Sequence, residues 1–187
     1  MSRDSIVLVT QNEHKIRELT PLFEEYNVPF ETTDLAKYEV RSNSVGNVAM
    51  DAAKFAYSKL KRPVVVDDTG LYIEALNGFP GSTAAYVLES IGFEGVLKLM
   101  EGVEDRDASF DTAVGFANGW VFRYFVGSVY GDITTAPAGD KGFGYDPIFI
   151  PDGETKTYAQ LSIDEKIKIS HRTEAFRKFL EWYVEKF

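Results

Sequence analysis

The chain has 187 residues, 44% of them hydrophobic and 14% aromatic, enough apolar side chain for one packed domain and too much for a disordered chain. Twenty Lys and Arg against 29 Asp and Glu give a net charge of −9, which argues against tracking a nucleic-acid backbone but leaves room for one small anion in a local basic pocket. Cysteine is absent and histidine occurs twice, at His14 and His171, so disulfides, zinc thiolates, thiol nucleophiles and histidine-rich metal sites are excluded.

The opening MSRDSIVLVTQN holds too short an apolar stretch for a secretory leader. No apolar run reaches the ~18–20 residues of a membrane span. The expectation is a soluble, cytoplasmic protein. SIVLVT (5–10) reads as a buried strand, followed by a helix over about 13–26 with Ile16, Leu19, Leu22 and Phe23 on one face. VPFETT (28–33) reads as a strand. Residues 44–60 read as a helix with Val48, Ala52, Phe55, Ala56 and Leu60 inward. PVVVDDTGLYIEAL (63–76) reads as strand, sharp turn, strand. Residues 87–102 read as a helix broken near Gly92. Two long strands follow at about 108–117 and 120–130, with Asn118-Gly119 as their hairpin turn. GFGYDPIFIP (142–151) is a glycine-rich loop entering a short strand. Ser162 and Glu165 form a capping box that opens a C-terminal helical region. Alternating helices and strands with an antiparallel hairpin predict an α/β fold with a mixed sheet, flanking helices and two lobes around a cleft.

Four segments carry candidate chemistry. In Thr10-Gln11-Asn12-Glu13-His14-Lys15 a strand ends and a helix begins. Asn12 suits the N-cap, which puts Lys15 at the third helical position, where a cation opposes the helix dipole. A bound phosphate would reverse that sign; without one, the segment is an ordinary cap with a solvated lysine. The glycine-rich nucleotide loop ending in Lys-Ser or Lys-Thr is absent. In Val66-Asp67-Asp68-Thr69-Gly70-Leu71, two carboxylates at a strand end suit a hard metal or an Asx turn equally well. In Lys141-Gly142-Phe143-Gly144-Tyr145-Asp146-Pro147, the flanking glycines let a flat group approach Phe143, as on a purine-stacking platform or in a buried aromatic turn. Finally, Lys166 and Ser170-His171-Arg172 gather donors near a fresh helix start. They would read acceptor atoms of a base or phosphate, or form a solvated basic patch.

Taken in order, TxNxxK (10–15), DDTGL (67–71), GFGYDP (142–147) and EKxxxSHR (165–172) closely resemble the inosine triphosphate pyrophosphatase family, also called Ham1-like. The resemblance covers nearly all of residues 5–187. It implies a single catalytic domain over residues 1–187, a homodimer, and no nucleic-acid or membrane partner. The implied activity is Mg²⁺-assisted hydrolysis of purine nucleoside triphosphates carrying deaminated bases (ITP, dITP, XTP) to the monophosphate and pyrophosphate. On this resemblance Glu39 and Asp68 hold the metal, and Asp68 also positions the attacking water and accepts its proton. Thr10, Gln11, Asn12, Glu13, His14 and Lys15 line the phosphates, and Thr69 touches the substrate. Phe143 stacks on the base, with Gly144, Tyr145 and Asp146 shaping its pocket. Lys166, His171 and Arg172 complete the nucleotide site.

Two departures stand out: Ile167 where the family often has Asn, and Thr83-Ala84 where it usually has Tyr-Ser. Donors such as Arg172 and His171 would satisfy the C6 oxygen of hypoxanthine or xanthine and meet the adenine amino group unfavourably. The competing readings are a Maf-like pyrophosphatase of pyrimidine or modified nucleotides, and a non-catalytic nucleotide sensor.

Overall fold

The computed structural model describes residues 5–36 and 42–187, so Glu39 lies outside the described residues. Strand β1 (Ile6–Leu8) is buried throughout and pairs in parallel with both β2 (Phe30–Thr32) and β3 (Val64–Ile73). An apolar run without alternation is what a central parallel strand requires, because both of its faces are covered. The remaining strands are β4 (Phe79–Gly81), β5 (Asp107–Ala117), β6 (Phe122–Ile133) and β7 (Phe149–Pro151). The sheet order is β2-β1-β3-β5-β6-β7, with β4 antiparallel on β3 and β7 antiparallel on β6. Helices α1 (Glu13–Glu25), α2 (Val45–Leu60), α3 (Ala84–Leu99), α4 (Ile163–Ile169) and α5 (His171–Lys186) accompany this mixed sheet, as expected.

The chain divides into two compact units. The first contains the residues up to Asp68, Thr112–Gly127 and Arg172–Phe187; the second contains Thr69–Asp111 and Ser128–His171. Strands β3, β5 and β6 each run from one unit into the other. In the first unit, Leu19, Leu22 and Phe23 of α1 pack with Ile6, Leu8, Phe116, Phe176 and Phe179. A second cluster there joins Val7, Val9, Val64 and Val66 to Ala52, Ala53 and Ala56 of α2. The second unit has its own core, which includes Leu71, Ile73, Phe110, Phe149 and Tyr158.

Three local expectations need correction. Residues 64–73 form one continuous strand with no turn at Gly70. A side chain at Gly70 would meet the Tyr72 ring at 2.7 Å and the Gly81 carbonyl at 3.0 Å, so this glycine serves close approach and not chain reversal. The reversal comes later, at Asn77 (φ 52°) and Gly78 (φ 81°). In α2 the buried face is Val45, Gly46, Ala49, Ala52, Ala53 and Ala56, while Val48, Phe55 and Leu60 are only half-buried. The Ala49 backbone presses on Gly115 of β5, so this face selects small residues over large ones. The β5–β6 link spans residues 118–121, in which the Asn118 side-chain oxygen accepts from Trp120 N (3.1 Å) and Val121 N (2.8 Å). The break in α3 at Gly92 is present, with φ 68° and ψ 178°.

Candidate active site

The first set of site residues, Thr69 apart, belongs to the first unit. Asn12 caps α1 by accepting from His14 N at 3.0 Å and Lys15 N at 3.4 Å, and its own N–H donates to Thr10 Oγ1 at 3.1 Å. Those two helical N–H groups are therefore taken by the cap. Beyond them, the Lys15 ammonium is the charged group this turn can offer an anion. Lys15 is not a solvated cation: its Nζ donates to Asp67 Oδ2 at 2.6 Å. Asp67 is completely buried in β3. Arg172, 2% exposed at the start of α5, donates from Nε to the same oxygen at 3.5 Å and from Nη1 to Glu18 Oε2 at 2.5 Å. Lys15, Arg172, Asp67 and Glu18 thus form a buried network of two cations and two carboxylates. Each charge has a partner, which burial demands.

This placement changes the reading of Arg172. Its guanidinium bonds two carboxylates of its own unit, because two buried acids must be neutralised and an arginine fork can serve both. Glu18 was missed by sequence reasoning. The signal was a lone acid on the apolar stripe of α1, beside Leu19 and one turn after Lys15. Gln11, Glu13 and His14 are exposed, and Glu13 pairs with Arg17 at 3.5 Å. Asp68 and Thr69 follow Asp67 on β3 and are half-buried. Strand alternation turns Asp68 to the opposite face from Asp67.

The second set belongs to the second unit. Gly142 and Gly144 both have positive φ, 75° and 67°, and hold Phe143 between them. A side chain at Gly142 would run into the Asp146 carboxylate. That carboxylate is buried; its Oδ2 accepts from Phe143 N at 2.8 Å and from Lys166 Nζ at 2.7 Å. Lys166 is only 4% exposed, and its ammonium lies 4.9 Å from the Phe143 ring centre and 5.4 Å from that of Tyr158. One face of Phe143 therefore carries a cation. Tyr145 anchors the loop by donating to the Ala84 carbonyl at 2.9 Å, and burial pushes its phenol up to about 12. His171 is buried and stacks on Phe110, with ring centres 4.7 Å apart and planes at 17°. Phe110 and Tyr158 had no motif to announce them. They sit in ordinary strand and turn sequence, and only the fold brings them to His171 and Lys166.

Among the described residues, no three His, Asp or Glu side chains gather as a metal cage. No helix among the described residues is long and apolar enough to cross a membrane.

Residues 6–182 match the model of the Ham1 family. A dITP/XTP pyrophosphatase of Methanopyrus kandleri is 46% identical over 179 residues, covering 95% of each chain. A dITP/XTP pyrophosphatase of Saccharolobus solfataricus is 43% identical, over 97% of this chain and 96% of its own. Among solved structures, a HAM1 protein from Coxiella burnetii superposes with a TM-score of 0.86 at 29% identity, over 98% of this chain and 100% of that one. The Staphylococcus aureus Ham1 protein gives 0.84 at 28% identity over the same shares.

Proposed function

The chain belongs to the Ham1 family, and on that footing we propose how its residues carry out the hydrolysis of purine nucleoside triphosphates with deaminated bases. It is a hydrolase that converts such a triphosphate to the monophosphate and pyrophosphate. The observation that carries the residue assignment is the pair of buried carboxylates, Asp67 and Asp146, each holding cations in place before any substrate arrives.

The first set is assigned to the triphosphate. An ammonium has three N–H donors, so the bond from Lys15 to Asp67 is compatible with further bonds to phosphate oxygens. Asp67 fixes Lys15 and Arg172 so that little reorganisation is needed as negative charge develops. Thr10, Asn12 and Thr69 add neutral polar contacts. Gln11, Glu13 and His14 are exposed and are assigned to the rim.

Mg²⁺ suits the donors present, because it takes one or two protein carboxylates and completes its shell with water and phosphate oxygens. Asp68 would hold it, with Glu39 as the second carboxylate, and the ion would supply charge neutralisation and a more acidic water. Asp68 orients the water that attacks the α-phosphorus and accepts its proton. A carboxylate beside a divalent cation is a weak base, so positioning is the larger part of its contribution.

The second set is assigned to the base. The Lys166 ammonium covers one face of Phe143, so the purine takes the other. His171 is the donor assigned to the C6 oxygen of hypoxanthine or xanthine, and Lys166 holds the stacking ring from its far side. An adenine amino group there would leave a donor unpaired, a cost of ~1–3 kcal/mol and about a tenfold to hundredfold preference. Gly144, Tyr145 and Asp146 shape the loop.

Residues 1–187 are assigned to one catalytic domain, on the family match over residues 6–182. The family resemblance supports a homodimer in the cytoplasm. The test is pyrophosphate release from ITP, XTP and ATP, each with Mg²⁺ and with EDTA. The expected result is Mg²⁺-dependent turnover of ITP and XTP well above ATP. Equal rates on all three would overturn the base assignment, and full activity in EDTA would overturn the metal assignment.

A further inference from the structure

Tyr158 belongs to a 3₁₀ turn (158–160) held from both sides of its first residue. Thr157 N donates to Gln160 Oε1 at 2.9 Å, and Thr157 Oγ1 donates to the Ala138 carbonyl at 2.7 Å. From this anchored turn the fully buried Tyr158 side chain reaches three places. Its ring lies 5.4 Å from the Lys166 ammonium. The ring centre is 6.1 Å from that of His171. Its hydroxyl donates to the Ile169 carbonyl at 3.0 Å.

Ile169 is the last residue of the seven-residue α4, and Ser170 and His171 follow directly. Carbonyls in the last turn of a helix lack intrahelical partners, and here a side chain from a separate, fixed turn supplies one. The bond ties the α4–α5 junction to the same ring that faces Lys166. Packing does not require the hydroxyl, since a phenylalanine ring would fill the space beside Phe110 and Phe149 equally well.

We propose that Tyr158 is a positioning residue that sets the base selectivity of the site by fixing Lys166 through its ring and His171 through the α4–α5 junction. This role rests on the assignment of the second set to the base. Tyr158 touches no substrate and acts through Lys166, which holds the stacking ring, and through the His171 donor.

Two variants separate its parts. Tyr158→Phe keeps the ring and removes the hydroxyl; Tyr158→Leu removes both. Pyrophosphate release from ITP and ATP and thermal unfolding are measured for each beside the wild type. In Tyr158→Phe the KM for ITP rises about threefold to tenfold, the scale of one buried hydrogen bond. In Tyr158→Leu it rises further, while kcat for ITP stays within about twofold of wild type, the mark of lost ground-state positioning. The ITP-to-ATP ratio of kcat/KM falls in both. A residue that only fills the core would lower the melting temperature and leave KM and this ratio at wild-type values, which overturns the proposal. If Tyr158→Leu does not fold, Tyr158→Phe alone decides. A wild-type protein that released no pyrophosphate from ITP would overturn the nucleotide assignment itself, before any variant is compared.

Discussion

Lys15 Nζ lies 2.6 Å from Asp67 Oδ2, and Arg172 Nε approaches the same oxygen at 3.5 Å. Two cations far apart in sequence thus share one buried carboxylate. The adjacent acids Asp67 and Asp68 consequently have different tasks. Asp67 is a structural counter-ion, and Asp68, half-buried next to it, is the one assigned to chemistry.

Substitution separates these tasks. Asp67→Asn leaves Lys15 and Arg172 without their shared charge and costs roughly 3–5 kcal/mol of stability, the usual penalty for breaking a buried pair. Asp68→Asn leaves that network intact. Its melting curve stays near wild type while kcat falls by about 10²–10⁴-fold, the scale of a lost positioned base. Urea denaturation and steady-state hydrolysis of ITP read the two effects. An Asp68→Asn protein that bound nucleotide and turned over at the wild-type rate would remove Asp68 from the reaction.

Much of this arrangement was legible in the sequence, and what escaped did so for physical reasons. The strand read within 5–10, the cap at Asn12, the break at Gly92 and the capping box at Ser162 are local, set by residues within a few positions of one another, and each is present, the strand over Ile6–Leu8. The supposed turn at Gly70 failed because glycine marks close approach as well as reversal; only the neighbouring Tyr72 and Gly81 tell the two apart. The inward face of α2 was misread because hydrophobicity favours Phe55 and Leu60, whereas contact with Gly115 favours alanine. The cations at helix starts, Lys15 and Arg172, looked misplaced because their partners, Asp67 for both and Glu18 for Arg172, come from other segments. Phe110 and Tyr158 are core residues by pattern, and only the fold gives them neighbours with chemistry.

Phe143 provides a second test. Asp146 holds its N–H and Lys166 covers one of its faces, so the ring is fixed before a base arrives. Phe143→Ala removes ~1–3 kcal/mol of stacking and raises the KM for ITP about tenfold to hundredfold. Phe143→Trp keeps a flat surface and retains most of the affinity. Equilibrium binding of ITP to the Asp68→Asn protein, with and without the Phe143 substitutions, measures the effect free of turnover. Equal affinity in Phe143→Ala would place the base elsewhere.

Tyr145 makes stability depend on pH in the alkaline range. Its hydroxyl is buried, donates to the Ala84 carbonyl, and has its pKa raised from 10.0 to about 12 by desolvation. Below pH 10 the phenol is neutral in both folded and unfolded chains, and its full contribution is present. Between pH 10 and 12 the unfolded chain loses the proton while the folded one keeps it. The unfolded state then binds fewer protons, so stability falls as pH rises. The whole effect is roughly 2–3 kcal/mol. Tyr145→Phe abolishes the titration along with the hydrogen bond, so it is less stable than wild type below pH 10 and the gap narrows toward pH 12. Urea midpoints of both proteins at pH 8, 10 and 12 measure that gap, and a constant difference across the series would show that Tyr145 does not titrate with a raised pKa.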